Sequence, residues 1–520
     1  MPENNLHIVD YIIIIISLVV SLYIGIFFAK GQKTTSKYFK AEGKIPAWAI
    51  GMSILATLVS SITFLAYPGD GFSGNWIRLV QGLMVPIVLM AIIWGIVPLY
   101  RNVIGLSAYE YFEKRFGYLA RVYASLGFIF AHFSKMGTVF YLLGLAIAKL
   151  LGVDTVTLIW ILGCIIIFLT LLGGIEAVIW LDVIQGFLLI VGGVIAFLIL
   201  IFAPDGGPVE VWKTASEHGR VGFGPFDWDF VNLTFWVMAI NGVFYAIQKY
   251  GTDQTIIQRY LTARSNKDAI KASLIGVLLS VPVWALFMFI GTALFAYYKL
   301  GAGPSLPADI RPDAVFPLYI MQGLPVGVSG LIISALIAAA ISSLDSDLNC
   351  LSAVLTEDFY GKINSRASDK QKLMFGKGMV VLSGLLAMIV ATFYVKMGGK
   401  SALSIVFSLY AIFSGGIAGM LLLGLFSKKA NKKGLYTGIV VCVLFTGYAV
   451  LTSSNINGEL VFDMGKLNFT HHKYMLGVYS HFILFGVGLL ASYFFKGSPV
   501  PEDLTYYGWS RANRKNKELN

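Results

Sequence analysis

Thirteen times along its 520 residues the chain enters an apolar run of about 20 residues or more. A helix needs roughly 20 residues to cross about 30 Å of hydrocarbon. Within that hydrocarbon each backbone N–H and C=O must be satisfied internally, which a helix does within its own segment. The runs lie at approximately 8–29, 45–66, 77–100, 117–148, 154–173, 176–203, 232–250, 268–298, 325–356, 374–396, 401–427, 433–452 and 474–495. They predict an all-α polytopic membrane protein of about 13 transmembrane helices, forming one transmembrane domain over 1–520. The leading segment MPENNLH carries no Lys or Arg, so the first run is expected to stay as a span rather than act as a cleaved signal.

Charge supports this count and gives it a direction. Charged residues make up 13% of the chain, about half the share of a soluble domain. Of 39 Lys and Arg, 28 fall in the connections 30–44, 101–121, 249–271, 362–377 and 428–433 and in the tail from Lys496. Nine fall in the alternate connections, and Arg78 and Lys135 lie within spans. Cytoplasmic loops carry the excess of basic residues. The expected arrangement is therefore a multi-pass protein of the cell (inner) membrane, with the N-terminus outside and 496–520 as a cytoplasmic basic tail. The net charge of +11 then reflects one-sided loops, with no nucleic acid expected as a partner. Cys164, Cys350 and Cys442 all lie in apolar stretches and predict no disulfide framework. With no P-loop, G-x-S-x-G or H-E-x-x-H in the sequence, no enzyme activity is expected.

Polar residues at membrane depth are costly and mark function. The second span, IPAWAIGMSILATLVSSITFLAYPG, carries Thr57, Ser60, Ser61 and Thr63 at its centre. Such a cluster suits a helix that unwinds partway and frees carbonyls for a cation or solute; close packing through small residues is the plainer reading. The seventh span holds Asn241-Gly242 near its middle, a break signal. The two occupy matching positions in successive groups of five spans, which must be inverted relative to one another. Paired interruptions of this kind point to a transporter's central site.

In the ninth span Ser342, Asp345, Ser346 and Asn349 recur at i, i+3, i+4 and i+7 and share one helical face, with Ser343 and Asp347 to its side. A carboxylate among hydroxyls offers the hard oxygen ligands of small cations. Asp182, two turns into the sixth span, is either a snorkelling acid or a distant ligand of the same ion. Lys135 stands alone within the fourth span, placed to meet an anionic substrate or to pair with an internal acid. His132, one turn before it, is expected to be a packed core histidine.

In chain order the segments SKYFKAEGKIPAWAIGMSILAT, SSITFLAYPG, SAYEYFEKRF, GGIEAVIWLDVIQ, IIQRYLTA and AAAISSLDSDLN resemble the sodium:solute symporter family. That family includes sodium–glucose, monocarboxylate, iodide, proline and sialic acid carriers. The resemblance runs from the first span to about the eleventh or twelfth. It implies a LeuT-like fold with one leading helix and an inverted five-plus-five repeat with broken helices, in spans two to six and seven to eleven (about 45–203 and 232–452). It implies sodium as the co-transported ion, a principal sodium site at the carbonyls of Ala56, Val59 and Ala339 and the hydroxyls of Ser342 and Ser343, and a second site resembling Asp182, Ser342, Asp345 and Ser346.

For the small-molecule substrate, Ser60, Ser61 and Thr63 match the polar segment of the sialic acid carriers, with Lys135 and Asn241 as further candidates. The departures are Leu58 for a threonine, Gly82 for a glutamine, Lys135 for an arginine and Asp345 for a serine. The implied function is sodium-coupled import of a sugar, a sugar acid such as sialic acid, or a monocarboxylate by alternating access, with the protein working as a monomer among membrane lipids. A proton-coupled carrier of the same fold, using Asp345 or Asp182, is the alternative, and a membrane-embedded enzyme or sensor a more remote one.

Overall fold

The computed structural model describes residues 6–29, 32–396, 415–453, 460–495 and 501–511. Its principal helices are α1 (Ile8–Ala29), α2 (Ala47–Leu58), α3 (Ser61–Ser73), α4 (Leu79–Val103), α5 (Tyr118–Leu151), α6 (Thr155–Phe202) and α7 (Phe235–Gly251). They continue with α8 (Gln254–Thr262), α9 (Asn266–Lys299), α10 (Val328–Val354), α11 (Asp369–Lys396), α12 (Ile417–Phe426), α13 (Lys432–Thr452) and α14 (Lys473–Phe494). Twelve of the thirteen expected spans are matched along their length. The eleventh, 401–427, is described only from Gly415, where α12 forms its last part.

Two of these elements need explanation. At 1.5 Å per residue the 48 residues of α6 would reach about 72 Å, more than twice the hydrocarbon thickness. The chain divides them at Gly174, whose backbone (φ 57°, ψ −162°) leaves the helical region. A Cβ at Gly174 would meet the Tyr38 carbonyl oxygen at 2.6 Å, so only glycine fits there. The expected boundary between the fifth and sixth spans fell at this point. In the second span, α2 and α3 meet at 57° across Val59 and Ser60, both in extended backbone.

Burial sorts the helices. On α1, Ile12, Ile15, Ile16 and Val19 are exposed, the surface a lipid-facing helix requires. Residues 332–354 of α10 are buried without interruption, and α10 packs against α6, α1, α5 and α11. Its N-terminus is tied down by the buried Asp10 of α1, whose Oδ1 accepts from the N–H groups of Gly327 (2.8 Å) and Gly330 (2.7 Å). Those donors have no partner within the first helical turn. The cap fixes the register of the helix that carries Ser342 to Asp347.

Candidate ion and solute site

The first polar cluster is built by the break between α2 and α3. Val59 N–H still closes on the Leu55 carbonyl at 2.9 Å. The next N–H, of Ser60, would meet the Ala56 carbonyl in a continuous helix but lies instead 3.5 Å from Thr63 Oγ1. Ser60 Oγ in turn accepts from Ile62 N–H at 3.1 Å, a capping box that starts α3 afresh. The Ala56 carbonyl is thereby released from the ladder, and the Val59 carbonyl lies outside both helices. Ser60, Ser61 and Thr63 are buried, and Ser61 Oγ donates to the Val139 carbonyl of α5 at 3.5 Å. On α10 the buried Ser343 Oγ has no hydrogen-bond partner among the described residues, and Ala339 lies one turn before it.

The second cluster joins α2, α6, α8 and α10. Asp182 Oδ1 accepts from Ser342 Oγ at 2.5 Å, and its Oδ2 accepts from Ser53 Oγ and from Arg259 Nη2, the latter at 2.9 Å. Arg259 also donates to Ser53 Oγ (2.8 Å), Ser346 Oγ (2.8 Å) and the Thr255 carbonyl (2.6 Å). Thr57 Oγ1 stands 3.3 Å from Ser346 Oγ. Asp345 is fully buried, and neither carboxylate oxygen has a partner among the described residues. Asp182 thus pairs with the guanidinium of Arg259, and Asp345 does not. An unpaired buried carboxylate is expensive, and the surrounding hydroxyl and carboxylate oxygens are the donors a hard cation takes. Asp182 is therefore a core residue of the cluster and not a snorkelling acid.

Arg259 is a member of this cluster that reading along the chain passed over. It was counted among the basic loop residues of 249–271, yet its side chain is wholly buried. The signal was available in IIQRYLTA, where a lone arginine follows an apolar pair.

In the third cluster Lys135 pairs with an internal acid, one of the two roles expected of it: its Nζ lies 3.2 Å from Oδ1 and 3.1 Å from Oδ2 of Asp347. His132 does pack, its ring 4.0 Å from that of Phe128, but it is more than a core histidine. Its Nδ1 meets Asp347 Oδ1 at 2.8 Å and its Nε2 meets Asp253 Oδ2 at 3.3 Å. Asp253 closes the chain on Lys249 at 2.6 Å.

The seventh span gives a further correction, because α7 runs unbroken through Asn241-Gly242. A Cβ at Gly242 would come within 2.9 Å of the Gln81 carbonyl oxygen and of Met84 Cβ, so this glycine permits close approach to α4 rather than a bend. Asn241 Nδ2 donates to the Tyr474 carbonyl on α14 at 3.1 Å, a partner outside the three clusters. The interruption comes later, at Thr252 and Asp253, between α7 and α8. At Gly82 the room a side chain would take is filled by Trp284, whose ring lies 2.6 Å from the ideal Cβ.

A broken helix facing a buried, hydroxyl-lined and partly orphaned helix at membrane depth defines a class, the ion-coupled carriers of LeuT-like fold. Comparison with known proteins makes the class specific. The sodium:solute symporter family model matches residues 38–442. The sodium/sialic acid symporter NanT of Aliivibrio fischeri is 33% identical over 447 residues, which cover 85% of this chain and 88% of the relative. The sodium/sialic acid symporter SiaT of Proteus mirabilis is likewise 33% identical, over 85% of this chain and 90% of its own. A solved Na+-coupled sialic acid symporter, substrate-bound and outward-open, superposes with a TM-score of 0.86 at 31% identity, covering 95% of this chain and 99% of that one. The chain belongs to the sodium:solute symporter family: it is a multi-pass membrane carrier, not an enzyme, that couples sodium to the movement of a small-molecule solute.

Proposed function

We propose that this symporter imports a small polar organic solute of the sugar, sugar-acid or monocarboxylate kind. In this reading the principal sodium sits on the carbonyls of Ala56, Val59 and Ala339 and the hydroxyls of Ser342 and Ser343, and a second cation is held by Asp182, Ser342, Asp345 and Ser346. The solute lies against Ser60, Ser61 and Thr63, one turn from Lys135. The observation that carries the reading is the capping box at Ser60, which turns the Ser60 N–H away from Ala56, together with the orphaned Ser343 Oγ on α10. Backbone and side-chain oxygens without partners are what a dehydrated alkali ion needs.

Sodium entering from outside draws α2, the start of α3 and α10 together and so orders the solute segment. Closure of the outer side then exposes the site to a cytoplasm poor in sodium, and both ligands leave. Each positive charge carried inward gains about 2.3 kcal/mol per 100 mV, a bias of roughly fiftyfold before the sodium gradient is counted. The protein works as a monomer in the cell membrane, N-terminus outside and C-terminus in the cytoplasm, a topology supported by the basic connections.

The test is sodium activation of uptake into proteoliposomes. Ser343→Ala removes one oxygen ligand and is expected to raise the sodium concentration for half-activation about tenfold, the equivalent of one charge-assisted contact. Activation indistinguishable from wild type would remove Ser343 from the site, and uptake unchanged with choline in place of sodium would remove the ion altogether.

A further inference from the structure

We infer that Asp347 is the built-in counter-anion of Lys135 and that this pairing selects uncharged, hydroxyl-bearing solutes over carboxylates. The inference rests on the solute position proposed above and narrows it.

Ser61, at the start of α3, reaches α5 at the Val139 carbonyl. Lys135 lies four residues earlier on α5, hence on the same face and one turn away. A lysine there would ordinarily advertise a site for an anion. In this chain its ammonium is already shared between both oxygens of Asp347, at 3.2 and 3.1 Å. Asp347 is itself fully buried and receives one further contact, from His132 Nδ1 at 2.8 Å.

The neighbouring charges are also spoken for. Asp253 takes Lys249 Nζ at 2.6 Å, His132 Nε2 at 3.3 Å and the Thr255 N–H at 2.9 Å. Two lysines therefore face two aspartates across one imidazole, each of whose ring nitrogens meets a carboxylate oxygen. A carboxylate arriving at Lys135 competes with Asp347 for the same ammonium, and drawing the ammonium away would leave Asp347 buried with the histidine alone, a strongly unfavourable stranding of charge. A neutral solute incurs no such cost and can bond to the hydroxyls of Ser60, Ser61 and Thr63. With sodium as the driving ion and a neutral cargo, each cycle carries net positive charge inward; with a monocarboxylate and one sodium it would carry none.

The experiment uses the purified full-length protein in proteoliposomes. Sodium-dependent uptake of radiolabelled solute is measured with N-acetylmannosamine and galactose as neutral probes, and N-acetylneuraminate and lactate as anionic ones. Wild type is expected to respond to a neutral probe at a concentration at least tenfold below that needed for either anion. Asp347→Asn frees the ammonium, and the half-saturating concentration for an anionic probe is expected to fall about tenfold, the worth of one charge-assisted hydrogen bond. Adding Lys135→Met to that variant abolishes the gain.

Protection of the protein against heat by sodium alone shows that each variant is folded, and if Asp347→Asn does not fold, the wild-type ranking decides. A wild type that prefers N-acetylneuraminate or lactate, or an Asp347→Asn protein with unchanged anion affinity, overturns the assignment while leaving sodium symport intact. A wild type that sodium neither protects nor activates overturns both.

Discussion

The second and seventh spans carry similar warnings in sequence, yet they are interrupted differently. In the second, the helix stops at Leu58 and restarts at Ser61, and the groups set free are backbone carbonyls. In the seventh, α7 passes straight through Asn241-Gly242 and yields only at Thr252-Asp253. There the side chains of Asp253 and Arg259 provide the polarity. A run of hydroxyl residues can recap a helix in mid-membrane, because Ser60 and Thr63 satisfy the donors that the break exposes. An Asn-Gly pair has no such means on its own, and here its glycine is used to bring α7 against α4.

If the seventh span acts through side chains, the largest effect should come from Arg259→Met. It leaves Asp182 buried without its guanidinium, a loss of about 3–5 kcal/mol. The purified variant is expected to melt far below wild type in detergent, and a change of only a degree or two would show that the arginine is dispensable. Gly242→Val should cost about 1–3 kcal/mol by overpacking the α4–α7 contact, measured as a lower melting temperature. An unaffected protein would show that α7 tolerates a bend there after all.

For the second span, Ser60→Ala removes the cap that begins α3, at about 1 kcal/mol. In the solute position proposed above the same hydroxyl serves both, so solute affinity should fall along with stability, and a variant with a normal uptake KM would separate the two roles. The smallest effect is expected from Asn241→Ala, which loses one bond to the Tyr474 carbonyl, worth about 1 kcal/mol or less. Sodium activation and solute KM should stay near wild type. A large rise in KM would return Asn241 to the solute site and restore the symmetry of the two breaks.

Much of this molecule can be read along the chain, because lipid imposes one rule on every span. The lengths of the apolar runs predict the helices, and even the division of α6 shows in GGIEAV, where Gly173-Gly174 separates two runs. Ser60, Ser61 and Thr63 stand out because hydroxyls are scarce at that depth, and Ser342, Asp345 and Ser346 because they share a helical face. The partners of charged residues were not readable in this way. Lys135 and Asp347 are 212 residues apart, Arg259 and Asp182 are 77 apart, and no local pattern links them. Each such residue looks in sequence like an isolated oddity, or, for Arg259, like one more basic loop residue.

The sequence by itself determined the apolar runs that become helices and the place where the second helix must break. These follow from period, length and composition, which the solvent reads locally. Only the tertiary structure decided which charges neutralise one another, that Gly242 is a packing contact, and that Lys135 already has an anion. Such matters depend on which helices lie side by side. In a medium that cannot solvate a stray charge, that adjacency determines whether a residue is available to a ligand.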